Sequence, residues 1–413
     1  MDNKLYWVWL SLLFRYGSNK ANLVLSLYDS PEDFYRLSEE ELRQLNFLNQ
    51  SDIQSVKRVS LKRAQKVLDD CKRLGISIVT FGDEDYPQRL RGLYSPPVVL
   101  YVLGDISGID DEVAVTVVGT RRATDYSAYV TEYLSYNMAQ AGAVIVSGCA
   151  LGIDTAAHVG ALRAEGRTIA VLGCGLDVNY PRENRDLKKK ILKKGALISE
   201  LPPGTETSRH IFPVRNRILA GLSLGVLVTH APERSGSLIT VEHAIEQGKE
   251  VFCVPPYSIF DSGFFGVIKY LRDGAIPVFC ADDVLREYSG AYAHKLDVSR
   301  ITGDYISEKK IEGKLGTVSR PKPEQPTAPK QESSEELAAD KEALRKRHQE
   351  FIDNFDERQL AVYNKLETTP RFIDELADGS GLRVSELLSI LTEFEIMGLV
   401  KSLGGQRYAL NGK

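Results

Sequence analysis

Arginine is the residue type that this sequence sets where chemistry could happen. In VVGTRRATDYS, residues 117–127, Arg121 and Arg122 follow an apolar run directly, behind Gly119 and Thr120. In IFPVRNRILAGLS, residues 211–223, Phe212, Arg215, Asn216 and Arg217 precede a small-residue helix. Small residues recur as Ser147, Gly148 and Gly152 in SGCALGID, and as Ser235, Gly236 and Ser237 in HAPERSGS. Such residues at a helix start let backbone N–H groups reach an anion, while guanidinium forks grip phosphate oxygens. Arginine loops beside an aromatic ring suit a polyanion with unpaired bases, the chemistry of single-stranded nucleic-acid binding.

Signatures of other phosphate chemistry are missing. Neither Gly-x-Gly-x-x-Gly after the first strand nor Gly-x-x-x-x-Gly-Lys-Ser/Thr occurs, and Gly173-x-Gly175 stands alone. His158, His210, His230 and His243 are scattered, with no Gly-x-Ser-x-Gly elbow and no carboxylates at metal-ligand spacing. The sequence therefore predicts no catalytic residue, no cofactor and no metal. Structural readings of the same residues stay open. Arg215 and Arg217 could pair with Glu200 or Glu206, Phe212 could belong to the core, and Ser235 to Ser237 could only cap a helix. The basic run Lys188 to Lys194 reads as a solvated face, and His158 and His243 as packing residues.

These loops need a scaffold to bring them together. From 113 to about 288, short β-branched runs such as VAVTVVG, AVIVSG, TIAVLGCG and GVLVTH alternate with stretches of helical length. That rhythm predicts an α/β fold with a Rossmann-like parallel sheet, whose ligands gather at the carboxyl ends of the strands. Asp154 and either Ser235 or Ser237 are expected to cap helices there. Residues 1–75 read as a small helical domain, with turn signals at Gly17, Asp29 and Asn49, and 76–112 as an extended connector packing on the sheet domain, which runs to 297. Residues 298–350, rich in Pro, Lys, Glu and Ser, have the composition of a disordered linker. Residues 351–413 read as three helices and a Gly-Gly hairpin, the order of a winged helix.

With 413 residues, 43% of them hydrophobic, the chain can bury a substantial core. Its net charge of −4 advertises no anionic partner, so a nucleic-acid site must be a local patch. No apolar run reaches membrane-spanning length, and the five cysteines are far apart without a Cys-x-x-Cys pair. The expectation is a cytoplasmic protein without a membrane partner.

The motifs VGTRRATDYS, SGCALGIDTAAHVGAL, VLGCGLDVNYPRENRDL, ISELPPGTETSRHIFPVRNRILAGLS and SGSLITVEHAIEQGKEVFCVP together resemble those of the DNA-processing protein A (DprA/Smf) family, across residues 113 to about 256. The resemblance implies an N-terminal helical domain of the sterile-alpha-motif type and a C-terminal winged helix. It implies a homodimer that binds single-stranded DNA, protects it and loads the RecA recombinase during natural transformation, on strands that single-strand-binding protein would otherwise coat. By position, Arg121 would contact phosphate, with Phe212, Arg215 and Arg217 lining the same pocket. Pro256 stands where many members have Gly, and Ile268 where they have Asn; with Leu271 and Ile276, Ile268 falls in the part that dimerises. Two other readings compete. One is a lysine-decarboxylase-like phosphoribohydrolase using Glu242; the other is a winged-helix regulator, whose helix 383–398 carries Glu386, Glu393 and Glu395.

Overall fold

The computed structural model describes residues 4–301 and, beyond them, 348–353, 355–367, 371–378, 382, 384–403 and 407–411. Residues to 301 belong to one compact unit and those from 348 to another. In the first unit six helices run from α1 (Lys4–Ser11) to α6 (Leu61–Leu74), followed by β1 (Ser77–Thr80), α7 (Gln88–Arg91) and β2 (Val99–Gly104). Next come β3 (Ala114–Val118), α8 (Asp125–Gln140), β4 (Val144–Ser147), α9 (Ile153–Arg163), β5 (Thr168–Val171), α10 (Arg185–Ile191) and β6 (Ala196–Ser199). The unit continues with α11 (Ile211–Leu222), β7 (Gly225–Val228), α12 (Leu238–Glu246), β8 (Glu250–Cys253), α13 (Phe265–Arg272), β9 (Ile276–Pro277) and α14 (Asp282–Ser289).

The strands form one sheet in the order β1-β2-β6-β5-β4-β3-β7-β8-β9. From β6 to β9 every neighbour is parallel, as the β-branched runs predict. All five residues of β3 are buried, because helices cover both faces. Val115 and Val117 pack with Leu134 and Met138 of α8, while Ala114 and Val118 pack with Ile218 and Leu219 of α11. The chain steps from β3 outward to β6, then returns to lay β7 on the other side of β3. Between β3 and β7 the loops leave toward opposite faces, and this switch point opens a crevice.

The connector is the main departure from expectation. Residues 76–112 do not merely lie on the sheet; they add β1 and β2 to it, each antiparallel to its neighbour. The first 75 residues share one apolar core with that edge, Trp9 and Phe34 clustering with Tyr101, Leu172 and Ile191. Local signals set the helix ends as read: Asn49 and Asp52 form a reciprocal capping box, and Gly75 closes α6 at φ 68°. At the other boundary, order continues past 297. The Asp297 N–H donates to the Ala141 carbonyl at 2.9 Å, and Ile301 packs on the core.

Most of the expected linker, 302–347, lies outside the described residues. In the second unit the helices are Gln349–Ile352, Glu357–Lys365, Ile373–Ala377 and Val384–Ile396. An antiparallel sheet, β10 (Arg371–Phe372), β12 (Arg407–Leu410), β11 (Val400–Leu403), completes the winged-helix arrangement. The hairpin tip, 404–406, is outside the described residues, as is Arg383. Glu393 accepts a hydrogen bond from Gln359 Nε2 at 2.9 Å and Glu386 pairs with Arg358 at 4.0 Å, so two of the three acids of the long helix serve packing within the unit.

Candidate nucleic-acid interface

A cavity of about 450 Å³ occupies the crevice at the switch point. Its wall is built by the loops after β3, β4, β6 and β7 and by residues of α11 and α12. Glycines bring these loops into contact. A Cβ on Gly119 would come within 2.7 Å of the His230 carbonyl, and one on Gly152, at φ 78°, within 2.4 Å of the Thr120 carbonyl. Backbone bonds stitch the same strands of chain: Thr120 N–H donates to His230 O at 2.8 Å, and Ile153 N–H to Thr120 O at 3.2 Å.

Four arginines line this cavity from exposed positions: Arg121, Arg122, Arg209 and Arg234. None is in an ion pair among the described residues, so their charge is available to an anion. The last two escaped the sequence reading, because a charge in an exposed loop obeys no periodicity; the available signal was their nearness to Phe212 and to Ser235. Half-buried Phe212 lies between the Tyr180 ring, 6.0 Å away, and the Arg121 guanidinium, 4.8 Å above its centroid.

The neighbouring arginines separate. Arg215 is buried: its Nη1 donates to the Val171 carbonyl at 2.8 Å, and its guanidinium fills the space a Cβ on Gly148 would need, 1.8 Å from that position. Arg217 does not line the cavity, and the expectation that it shares the pocket is corrected. Its Nη2 donates to both oxygens of Glu200, at 2.6 and 2.7 Å, on the far side of α11. Two residues apart on a helix is about 200° around its axis, so the two side chains cannot face one site. Asn216 does reach the cavity, and its Nδ2 holds the Gly236 carbonyl at 3.1 Å.

The anion cradles also sort themselves. Asp154 is not the N-cap of α9; that position is Gly152, and Asp154 in the first turn accepts the Ala150 N–H at 3.2 Å. The loop after β4 has thus already taken up an internal carboxylate. Burial pushes the Asp154 carboxyl above its ordinary pKa, with Arg215 pulling it back, and burial likewise works against the charge of Arg215. Ser147 is wholly buried, donating to Val117 O at 2.6 Å, and is absent from the cavity wall. No side chain caps α12 either: Ser235 and Ser237 bond each other at 2.7 Å, with Gly236 between them in open space. Leu238 N–H donates to Ser235 O at 3.1 Å and Thr240 N–H to Ser237 O at 3.0 Å, and this turn lines the cavity without a carboxylate of its own.

The remaining candidates settle elsewhere. Lys188 is internal, its Nζ holding the Tyr180 carbonyl at 2.6 Å, and Lys194 pairs with Glu165 at 2.7 Å, so the basic face is partly consumed. His158 is fully buried against Thr168 at 2.7 Å, whereas His243 is half-exposed and pairs with Glu246 at 3.1 Å. Glu242 is exposed and does not line the cavity. Among the described residues no cluster of three or more His, Cys, Asp or Glu could hold a metal, and no helix is long and apolar enough to cross a membrane.

An open α/β sheet with an arginine-rimmed cavity at its switch point defines a Rossmann-type α/β protein with a cationic crevice. The family is then given by comparison. A sequence model described as DNA recombination-mediator protein A matches residues 77–289, and one described as DprA winged helix domain matches 323–406, reaching into the segment expected as linker. The DNA processing protein DprA of Bacillus subtilis is 41% identical over 222 residues, 54% of this chain and 74% of that one. Protein Smf of Synechocystis is 33% identical over 351 residues, 83% of this chain and 82% of its own. The X-ray structure of DNA processing protein A from Streptococcus pneumoniae aligns with a TM-score of 0.60 at 33% identity, over 70% of this chain and 98% of that one. The chain belongs to the DNA recombination-mediator protein A family.

Proposed function

We propose that the chain binds single-stranded DNA in the arginine-rimmed cavity, protects it, and delivers it to RecA. One observation carries this reading: four exposed arginines from three loops surround Phe212 and the uncapped start of α12. Phosphates meet the guanidinium groups and the helix dipole, while unpaired bases meet the ring. The action is binding without turnover, and ATP or nucleoside monophosphates should come through incubation intact. Glu242, the acid a phosphoribohydrolase would need, stands outside the cavity.

The reading includes a homodimer. Ile268 and Leu271 on α13 and Ile276 on β9 lie at the sheet's last strand, whose outer edge is open among the described residues. Leu271 and Ile276 already pack partly on the core, so Phe265 and Phe279, 42% and 75% exposed, supply most of the apolar contact. Two linked sites hold one strand at two points and raise effective concentration, leaving free DNA between them on which RecA can nucleate.

Titration of single- and double-stranded oligonucleotides at several salt concentrations tests the binding. Single strands should bind tighter, with log affinity falling by about 0.7 per phosphate contacted for each decade of salt. Equal affinity for duplex sinks the reading. RecA assembly on DNA coated with single-strand-binding protein tests delivery: a lag that bound protein does not shorten removes that part.

A further inference from the structure

We infer that the loop between β8 and α13 extends the DNA site, its exposed rings forming a second platform on which bases leaving the arginine cavity stack. The inference rests on the binding reading above.

Tyr257, Ile259 and Phe260 are 59%, 67% and 83% exposed, a concentration of apolar surface on one short loop. The loop is tied to the cavity wall. Buried Phe264 stacks on His230 at 4.3 Å, and the His230 carbonyl is the group that holds Thr120 N–H beside Arg121. Gly266 N–H donates to Ala231 O at 3.0 Å, one residue before the cavity-lining Pro232. From the other side, α8 starts just after Arg122 and carries Tyr126, whose ring meets that of Tyr257 edge-on at 5.4 Å. Tyr257 in turn meets Phe264 edge-on at 5.5 Å, and Asp261 fixes the turn by accepting the Tyr257 hydroxyl and the Gly263 N–H.

The Tyr126 and Tyr257 rings are therefore held in place before any ligand arrives, which lowers the ordering cost of stacking on them. Cations and rings occur together here: Arg121 over Phe212, Arg122 on the cavity wall, and Tyr126 against Tyr257. Positive charge beside π-faces matches the phosphates and bases of a single strand, and that continuity with the cavity selects DNA as the occupant over a protein chain.

The test uses the full chain and oligothymidylates of two lengths, about 6 and about 20 nucleotides, within the range of known single-strand sites. Tyr257→Ala and Phe260→Ala should leave the short strand's affinity within two-fold and weaken the long strand about five- to one-hundred-fold, the range expected for lost base stacking. Phe260→Tyr, which keeps the ring, should bind both like wild type; Phe260→Leu, which keeps only apolar bulk, should not. If Arg121→Ala weakens both strands while the loop variants weaken neither, the platform is refuted and the cavity stands. If wild type binds neither strand, the cavity reading falls and the platform with it. A sedimentation shift for Phe260→Ala, with long-strand affinity per protomer unchanged, would assign the loop to contact between copies and overturn the inference.

Discussion

The separation of Arg215 from Arg217 makes a prediction with a sign and a size. Replace Arg217 by alanine and the Glu200 carboxylate, whose side chain is 15% exposed against 8% for its partner, loses the group that neutralises it. Removing one member of a buried ion pair costs about 3–5 kcal/mol. Unfolding releases about 2.1 cal/mol/K per residue, so a unit of roughly 300 residues has an unfolding entropy near 0.6 kcal/mol/K, and the loss becomes about 5–8 °C in Tm. Differential scanning calorimetry reads this directly. Single-strand affinity, measured well below the new Tm, should stay within about three-fold of wild type, because the side chain is outside the cavity. An apolar pair, Arg217→Met with Glu200→Leu, should recover much of the loss, since neither charge is then left alone. A variant that keeps its Tm within about 2 °C and loses binding would refute the assignment.

Other expectations follow from the same contacts. Gly148→Ala puts a Cβ where the Arg215 guanidinium lies, and overpacking with loss of a charged hydrogen bond should destabilise by about 3 kcal/mol or more, measured by urea unfolding. Gly236→Ala meets open space, so stability should change by under about 1 kcal/mol while single-strand affinity drops if phosphate approaches that backbone. Burial holds His158 down at about 3 from an ordinary 6.5; the unfolded chain takes up the proton first, and stability is lost as pH falls through 6.5. Between pH 7.5 and 5 that loss should approach 2 kcal/mol, about 1.4 per unit once below 6.5, and it should be absent in a folded His158→Gln variant followed over the same range.

How much of this was legible depends on whether the information is local. Strand runs and the loops after β3 and β7 are written in a few adjacent residues, and they fall where the sequence places them, whereas the caps expected from Asp154 and from Ser235 or Ser237 do not form. The edge strands β1 and β2 are not so written, because VVLYVLG acquires its meaning only by pairing antiparallel with β6, about a hundred residues on, and ISIVTFG only by pairing with VVLYVLG in turn. The contrast of Arg215 with Arg217 was legible in principle. Phe212, Arg215, Asn216 and Leu219 fall at i, i+3, i+4 and i+7, the stripe that lines the cavity, and Arg217 breaks that spacing. Reading Arg-Asn-Arg as a motif hid the periodicity of the helix that carries it.

The site's electrostatics follow from which anion acceptors are already taken. Gly148 to Gly152 looked like a phosphate cradle, yet Asp154, in the first turn of the helix that follows, has its carboxylate on the Ala150 N–H. With Arg215 close behind, the loop and its counter-charge form a closed internal pair that supports the cavity floor. A phosphate entering there would meet a buried carboxylate, whereas one entering between Arg121 and Gly236 meets an exposed guanidinium and an uncapped helix start. The first is a compensated pair and the second carries uncompensated positive charge, and on the proposed reading that difference, more than the number of arginines, favours the side of Arg121 and Gly236 for a strand's backbone.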